Sequence, residues 1–252
     1  MNVMRTKTAP SLGEPGPLCA EQRIAAADWS RVEADLQDQG FAILPRLLDQ
    51  QECTGLAASY DDDALFRSRI VMARHGFGRG EYKYFRYPLP GLVGTLREAL
   101  YARLVTIAND WHARMNLASR FPPTHREFIA RCHAAGQLRP TPLVLRYAPG
   151  DYNCLHQDLY GEHVFPLQAV VLLSRPGQDF SGGELVMTEQ RPRMQSRPMV
   201  LSLAQGDAAI ITVSQRPMQG SRGRYRVNMR HGVSRLHEGQ RHTLGIVLHD
   251  GS

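Results

Sequence analysis

The sequence predicts an α+β fold in which several helices brace a double-stranded β-helix, a jelly roll made of two packed sheets. Two observations lead to this prediction. Apolar residues recur at three- and four-residue steps over much of the first 140 residues, as in helices with one buried face. After Pro140, short β-branched runs alternate with turn signals, a pattern typical of antiparallel strands. The chain of 252 residues is long enough for one domain, with or without a small appendage.

The first helical region has clear start and stop signals. Asp28 can cap a helix that runs to about Gln39 and ends at Gly40. A short apolar strand follows, and Asp49 with Glu52 three residues later forms a plausible capping box for the next helix. Two further helices are predicted from apolar spacing, over residues 92–115 and 124–133. Residues 21–140 are therefore predicted to be a mainly helical support region.

A segment within this region lacks a steady period. Residues 74–87, RHGFGRGEYKYFRY, mix three glycines with basic and aromatic residues, and we predict a mobile loop or irregular hairpin. Interleaved basic and aromatic side chains can bind a polyanion with stacked bases, which makes Tyr82 and Tyr84 candidate substrate contacts. The alternative is a structural loop that the same aromatic residues pack.

The region 141–250 is predicted to be the β-helix core and to carry the chemistry. Turn signals such as Pro149-Gly150, Gly182-Gly183 and Gly206-Asp207 separate its apolar runs. Eight strands are predicted from these runs, over residues 143–147, 152–157, 167–173, 184–187, 199–203, 208–213, 226–233 and 243–248.

Composition limits the class of protein. A content of 42% hydrophobic and 21% charged residues is that of a globular chain, and no apolar stretch is long enough to span a membrane. Residues 1–20 lack the apolar core of a secretory signal and predict a flexible tail. The four cysteines form no C-x-x-C pair, so neither a disulfide framework nor a thiolate zinc site is expected, and a cytoplasmic location is predicted.

The pair His156 and Asp158 is the first candidate for chemistry. Residues two apart on a strand point to the same face, which inside a barrel is the cavity. A third ligand from a distant strand would complete a two-histidine, one-carboxylate triad, the site typical of non-haem iron(II) oxygenases. Zinc in a hydrolase is the rival use of such a triad.

Four histidines compete to be the third ligand. His231 lies at the end of a predicted strand before Gly232, a position that suits the mouth of a barrel. His237 falls in the next turn, His242 should point outward, and His249 is nearly terminal. His231 is therefore the preferred third ligand.

Several blocks of the sequence resemble the iron(II)- and 2-oxoglutarate-dependent dioxygenase superfamily. RYAPGDYNCLHQD, residues 146–158, is similar to the segment around the first two iron ligands of the AlkB-type oxidative demethylases. FSGGEL at 180–185, GDAAII at 206–211, and the H-x-V at His231 with an arginine ten residues after the histidine are similar to the prolyl-hydroxylase branch. The ordered set is more specific than any single motif.

The whole chain also resembles a bacterial group of 2-oxoglutarate/iron(II) oxygenases proposed to act on nucleic acids. The shared blocks are EYKYF, RPTPL, LHQDLYGE and EQRPRMQSR, at residues 81–85, 139–143, 155–162 and 189–197. Two positions depart from the AlkB pattern, because Leu145 and Val247 stand where that branch has an asparagine and a second arginine. The resemblance in co-substrate binding is therefore closer to the prolyl hydroxylases.

The resemblance implies the roles of five residues and the cofactors. His156, Asp158 and His231 are implied as the catalytic iron ligands, with Arg241 gripping the distal carboxylate of 2-oxoglutarate and Tyr147 hydrogen-bonding the same co-substrate. An arginine suits this role because its fork meets two carboxylate oxygens at once. The implied cofactors are Fe(II), 2-oxoglutarate and O₂, and the implied reaction is hydroxylation of a C–H bond.

The substrate remains open between classes. Net charge is +6, and the stretch from Arg191 to Arg241 holds ten arginines against two acids, a field that suits nucleic acid. Arg191, Arg193 and Arg197 could contact phosphates, although salt bridges within the protein are the alternative. An alkylated base of DNA or RNA is the first hypothesis. A protein side chain is the second, and a non-catalytic jelly roll that binds metal as a sensor is the third.

Overall fold

The structure, a computed structural model, describes residues 18–221 and 223–252. The predicted tail over residues 1–20 thus lies outside the described residues, except at its last three positions. Five α-helices occur in these ranges: α1 Ala20–Ala26, α2 Trp29–Gln39, α3 Gln50–Ala58, α4 Gly91–Arg114 and α5 His125–Ala134. None of them is long and apolar enough to cross a membrane.

The helices begin and end where local side-chain chemistry requires it. The Asp28 carboxylate accepts a hydrogen bond from the Arg31 backbone N–H at 3.1 Å, and Gly40 ends α2 in the left-handed conformation at φ 81°. The capping box predicted at the start of α3 is present, since Asp49 accepts from the Glu52 backbone N–H at 2.8 Å. These signals could be predicted because they depend on neighbours only three or four residues away.

Fifteen strands occur in the described ranges. Those before residue 141 are β1 Phe41–Leu44, β2 Phe66–Val71, β3 Gly78–Arg79 and β4 Glu81–Phe85. The next are β5 Leu143–Tyr147, β6 Tyr152–His156, β7 Leu167–Leu172, β8 Phe180–Gly182, β9 Leu185–Gln190 and β10 Arg197–Leu201. The last are β11 Ala208–Thr212, β12 Gln215–Gly220, β13 Gly223–Val233, β14 Leu236–Gly239 and β15 Arg241–Val247.

Two antiparallel sheets face each other and form the β-helix. The larger has the order β1-β11-β7-β15-β5-β4-β2, and the smaller has the order β10-β9-β13-β6-β3 with β12 paired to β13. A short pair, β14-β8, lies apart. The predicted class, an α+β fold with a double-stranded β-helix braced by helices, is confirmed.

The core has two layers, and β7 divides them. Ala169 and Val171 belong to the cluster that packs with the helices, whereas Leu172 belongs to the cluster between the two sheets. This division follows from the period of two along a strand, which sends successive side chains to opposite faces. Gln168 shares its face with Leu172, so it points between the sheets, where the candidate site lies.

Of the two forms predicted for residues 74–87, a mobile loop or an irregular hairpin, the mobile loop is wrong for the second half. Glu81–Phe85 form β4, which pairs with β5 and β2 inside the larger sheet. Glu81 accepts a hydrogen bond from Arg146 Nε at 3.0 Å, and Phe85 is fully buried. Three glycines at positive φ just before this strand, at positions 76, 78 and 80, broke the period that would have revealed it. The region 21–140 therefore supplies β1, β2 and β4 to the larger sheet as well as helices.

Candidate active site

Two neighbouring strands of the smaller sheet bring the two candidate histidines together. His156 ends β6 and His231 lies on β13, and the two are directly opposed in the antiparallel register. Their ring centroids are 4.3 Å apart. Gly232 permits this close approach, since a Cβ at that position would lie 2.6 Å from the Asn153 carbonyl oxygen.

Asp158 completes the cluster two residues after His156. Its Oδ1 lies 3.5 Å from His156 Nε2, and its Oδ2 lies 3.2 Å from His231 Nε2. One ligand atom from each of the three residues lies within 4.8 Å of the others. The sequence predicted these three residues as one site, and the structure brings them together.

The charges of the cluster are set by burial and mutual contact. Burial raises the pKa of Asp158, but its hydrogen bonds and charge interactions with His156 and His231 hold that pKa well below its usual value. Burial lowers the pKa of His231, and the Asp158 carboxylate offsets this only in part. Burial also lowers the pKa of His156, but contact with Asp158 outweighs it and the net shift is upward. The carboxylate is therefore ionised and available as an anionic ligand.

The donor set fits a divalent metal ion with open coordination positions. His156 Nδ1 lies 2.8 Å from the Cys154 carbonyl oxygen, which favours the proton on Nδ1 and leaves Nε2 free to bind metal. His231 Nδ1 is buried and has no partner among the described residues. Two imidazoles and one carboxylate are the ligand set that non-haem iron(II) oxygenases use, with positions left for other ligands.

Arg241 and Tyr147 form a second polar pair in the same cavity. They are directly opposed on β15 and β5, and both are almost fully buried. Arg241 Nη1 donates to Thr243 Oγ1 at 3.0 Å, whereas Arg241 Nε and the Tyr147 hydroxyl have no hydrogen-bond partner in the part of the chain that the structure describes. Burial lowers the pKa of Arg241, so an anion that enters the cavity would relieve an uncompensated charge. The pair thus fits the carboxylate of 2-oxoglutarate.

A cavity of about 300 Å³ joins the triad to the arginine pair. Its walls include apolar side chains that exclude water, such as Leu145, Val170 and Leu185. Its remaining lining includes Gly76, Phe77, Tyr82, Tyr147, Asn153, His156, Asp158, Tyr160, Gln168, His231, Val233 and Arg241. Tyr82, predicted as a substrate contact, lies on this wall. Tyr84 is buried instead and packs edge-on against Tyr82 and Tyr160.

The three arginines predicted as phosphate contacts do not line the cavity. Arg191 and Arg197 both approach Glu189, at 3.0 and 3.7 Å, so the alternative of salt bridges within the protein holds for these two. Arg193 is exposed, with a φ of 63° in the turn between β9 and β10. Arg191 and Arg193 lie between β9 and β10, and Arg197 begins β10.

Two residues that touch Asp158 were missed from the sequence. Tyr160 donates its hydroxyl to Asp158 Oδ1 at 2.5 Å, and Gln168 donates from Nε2 to Asp158 Oδ2 at 2.6 Å. For Gln168 a signal was present in the sequence, because it is the one polar residue of the described strand β7, LQAVVL.

The rival histidines lie outside the cluster. His242 packs edge-on against Tyr60 at 6.0 Å between ring centroids, and His249 is buried near Tyr160 at 6.1 Å. His237 is exposed in β14. Within the described ranges, the one group of three or more side chains that meets the distances of a metal site is His156, Asp158 and His231.

Comparison of the sequence with known proteins identifies a family and a bacterial relative. Residues 80–251 match a family described as "Oxygenase, catalysing oxidative methylation of damaged DNA". An uncharacterized protein of Mycobacterium tuberculosis is 44% identical over 168 residues, which are 67% of this chain and 72% of that protein.

Solved structures with a similar fold include members of the oxygenase superfamily. One is a prolyl hydroxylase from Trichoplax adhaerens in complex with a hypoxia inducible factor peptide fragment, with a TM-score of 0.56, 13% identity and 89% of each chain covered. Another is an oxidoreductase of the 2OG-Fe(II) oxygenase family from Burkholderia pseudomallei, with a TM-score of 0.52, 17% identity and coverage of 90% of this chain and 94% of that one. At these identities the likeness concerns the fold.

Proposed function

The chain belongs to the family of oxygenases described as catalysing oxidative methylation of damaged DNA, and within it we propose that this protein oxidises alkylated bases of nucleic acid. It is a 2-oxoglutarate-dependent iron dioxygenase, and the predicted cofactors Fe(II), 2-oxoglutarate and O₂ are confirmed. This enzyme class does not agree with the third hypothesis, a sensor without turnover. The substrate and the roles of individual residues belong to the proposal.

In this proposal His156, Asp158 and His231 hold the iron. The two imidazoles would bind it through Nε2, and the Asp158 carboxylate would supply an anionic oxygen. Bound iron(II) supplies the oxidative chemistry, in which O₂ and 2-oxoglutarate are consumed and a C–H bond of the substrate is hydroxylated. The rest of the task falls to the protein, which binds and orients the reactants and excludes water.

Arg241 and Tyr147 would bind the co-substrate. The guanidinium can meet both oxygens of the distal carboxylate, and the Tyr147 hydroxyl can donate one further hydrogen bond. Because their Cα positions are paired across adjacent strands, both groups are fixed by the sheet rather than by a loop. The apolar wall formed by Leu145 and Val170 strengthens this charge interaction by keeping the carboxylate out of bulk water.

The family match is the observation that carries the choice of nucleic acid. The mouth of the cavity supports it. Phe77 lines the cavity and is 48% exposed, and His75 stacks on it with 5.3 Å between ring centroids. Arg79, two residues further on, has a largely exposed side chain that approaches Asp151 only at 3.9 Å. An aromatic surface beside a cation suits a base and its phosphate, and a cavity of about 300 Å³ suits one base turned out of its stack.

Turnover with two panels of substrate tests the proposal. The protein is supplied with Fe(II), 2-oxoglutarate and either N-methylated single-stranded oligonucleotides or proline-containing peptides, and succinate and formaldehyde are measured. We expect formaldehyde release together with succinate on at least one oligonucleotide, and none in His231→Ala. Succinate formation stimulated by peptides alone would favour the second hypothesis, a protein side-chain hydroxylase. An absence of oligonucleotide binding at low salt would contradict the nucleic acid substrate.

A further inference from the structure

The Asp158 carboxylate is held from two sides by neutral donors. Tyr160 Oη donates to Oδ1 at 2.5 Å and Gln168 Nε2 donates to Oδ2 at 2.6 Å, so each oxygen accepts one short hydrogen bond. Asp158 itself is only 6% exposed. We propose that Tyr160 and Gln168 are positioning residues that fix the plane of this carboxylate and thereby set the affinity and geometry of the metal site. The inference depends on the iron site proposed above.

These two donors differ from the histidines in what metal binding does to them. His156 and His231 can hydrogen-bond Asp158 only while Nε2 carries a proton. A metal ion uses the Nε2 lone pair, so these two contacts are lost when the site is filled. The phenol of Tyr160 and the amide of Gln168 do not compete for metal in this way. They are therefore the side-chain donors seen in the structure that can still orient Asp158 when metal is bound.

The local structure fixes Tyr160 in its place. Its ring meets Tyr84 edge-on, with 6.3 Å between centroids and an interplanar angle of 89°. Gly161 follows at a φ of 131°, where a Cβ would lie 2.6 Å from Gln137 Cδ. The chain can thus turn sharply just after Tyr160 and return the hydroxyl to a residue only two positions earlier.

In the part of the chain that the structure describes, Gln168 makes no side-chain hydrogen bond outside the candidate site that would explain a buried amide in β7. It is 3% exposed in β7, and its register partners Ile211 and Val247 on the flanking strands are apolar. Its Nε2 bonds Asp158 and lies 3.3 Å from His231 Nε2, while its Oε1 has no partner among the described residues. A buried amide that leaves its oxygen unsatisfied is unfavourable for folding. Its contact with Asp158 points to a role in the site rather than in packing.

Metal affinity measured on four variants tests the inference. Tyr160→Phe and Gln168→Met each remove one donor to Asp158 and keep similar volume. Tyr101→Phe and Gln205→Met are matched controls, because their side chains donate to the backbone carbonyls of Pro122 and Leu173 and neither lines the cavity. Dissociation constants for Co(II) and, without oxygen, Fe(II) are measured by competition with a chelator. The melting temperature of each metal-free variant is measured in parallel.

We expect Co(II) and Fe(II) to bind about 10- to 100-fold more weakly to Tyr160→Phe and to Gln168→Met, and as in the wild type to the two controls. At saturating Co(II), the visible absorption spectrum of the first two should also change, since a carboxylate free to rotate alters the coordination. Wild-type affinity and an unchanged spectrum in both variants would overturn the positioning role and leave the iron site standing. A wild-type protein that binds neither metal would overturn the iron site as well.

The melting temperatures and Co(II) spectra together distinguish a folding defect from the loss of a positioning residue. If a variant melts at a lower temperature than its matched control, its spectrum at saturating Co(II) still reports the coordination of the folded protein. A wild-type spectrum in that state contradicts the inference, and an altered spectrum supports it.

Discussion

Arg241 and Tyr147 are directly opposed on β15 and β5, and each presents to the cavity a polar atom with no partner in the described ranges. The Arg241 guanidinium lies 5.6 Å from the centroid of the Tyr147 ring. A buried cation without a carboxylate partner is unfavourable unless a ligand supplies one. The pair therefore fits an anionic ligand that binds and dissociates, as a co-substrate does.

Replacing Arg241 should weaken 2-oxoglutarate binding far more than it changes turnover. We expect Arg241→Met to raise the KM for 2-oxoglutarate about 10- to 100-fold, since a charge-assisted hydrogen bond contributes about 1.5 to 3 kcal/mol. The KM of Arg241→Lys should lie between those of the wild type and Arg241→Met, because lysine keeps the positive charge but cannot meet two carboxylate oxygens at once. Tyr147→Phe should have a smaller effect, about 2- to 10-fold. Steady-state kinetics at saturating Fe(II) measures all three.

A control for these variants is Arg175→Met, whose arginine pairs with Asp179 on the surface. It should keep the wild-type KM. An unchanged KM in Arg241→Met would place the co-substrate elsewhere.

Replacement of His231 should strongly weaken metal binding, whereas replacement of His237 should not. We expect His231→Ala to lose one of three ligands and to bind Co(II) at least about 100-fold more weakly, with no succinate formed. His237→Ala, in the exposed part of β14, should bind Co(II) as the wild type does. Isothermal titration calorimetry with Co(II) measures the affinity of both variants. The reverse pattern would assign the third ligand to His237.

The mouth residue Phe77 should matter for nucleic acid and not for the co-substrate. Loss of one stacking surface weakens single-stranded binding by about 1 to 3 kcal/mol. We therefore expect Phe77→Ala to bind a methylated oligonucleotide about 5- to 100-fold more weakly, with the KM for 2-oxoglutarate unchanged. Leu138→Ala, a change at another exposed apolar side chain (60% exposed) that does not line the cavity, is the control. Fluorescence anisotropy would contradict this assignment if both variants bound equally well.

Acid should destabilise the fold in part through His125. Burial, aided by the nearby Arg97, lowers the pKa of His125 to about 4, and its Nε2 lies 3.0 Å from the Leu248 carbonyl oxygen. Between the unfolded pKa of about 6.5 and the folded value near 4, only the unfolded chain takes up this proton. The free energy of unfolding therefore falls as the pH drops through that window. Above the window, the contribution of the neutral His125 side chain to stability is fully present.

The variant His125→Gln keeps an N–H donor for Leu248 but cannot titrate. We expect its free energy of unfolding to fall less than that of the wild type between pH 7 and pH 5, by about 2 kcal/mol. Urea unfolding at the two pH values measures the difference. An identical fall in both proteins would show that His125 does not contribute.

The parts of the fold that were predictable are those set by near neighbours in sequence. The caps at Asp28 and Asp49 and the alternation of β5 depend on residues a few positions apart. The strands that were missed depend on distant partners. β4 is held between β5 and β2, and β12 contains Pro217, which usually argues against a strand but is tolerated here because β12 pairs only with β13.

In the candidate site, too, the residues within sequence motifs could be predicted, whereas contacts between distant strands could not. His156 and Asp158 form a local pair, and the ordered motifs pointed to His231 and Arg241. The short hydrogen bond from Gln168 to Asp158 could not be predicted, because it depends on how the two sheets face each other. Charge alone could not decide between phosphate contacts and internal salt bridges for Arg191 and Arg197, since the density of basic residues does not show which acidic side chains lie beside them in the fold.

A crystal structure of the protein with Mn(II) and 2-oxoglutarate, prepared without oxygen, tests the central claim most directly. We expect the metal to be bonded to His156, Asp158 and His231, and the distal carboxylate of 2-oxoglutarate to contact Arg241 and Tyr147. A metal bound elsewhere, or a co-substrate whose distal carboxylate does not reach Arg241, would contradict the account.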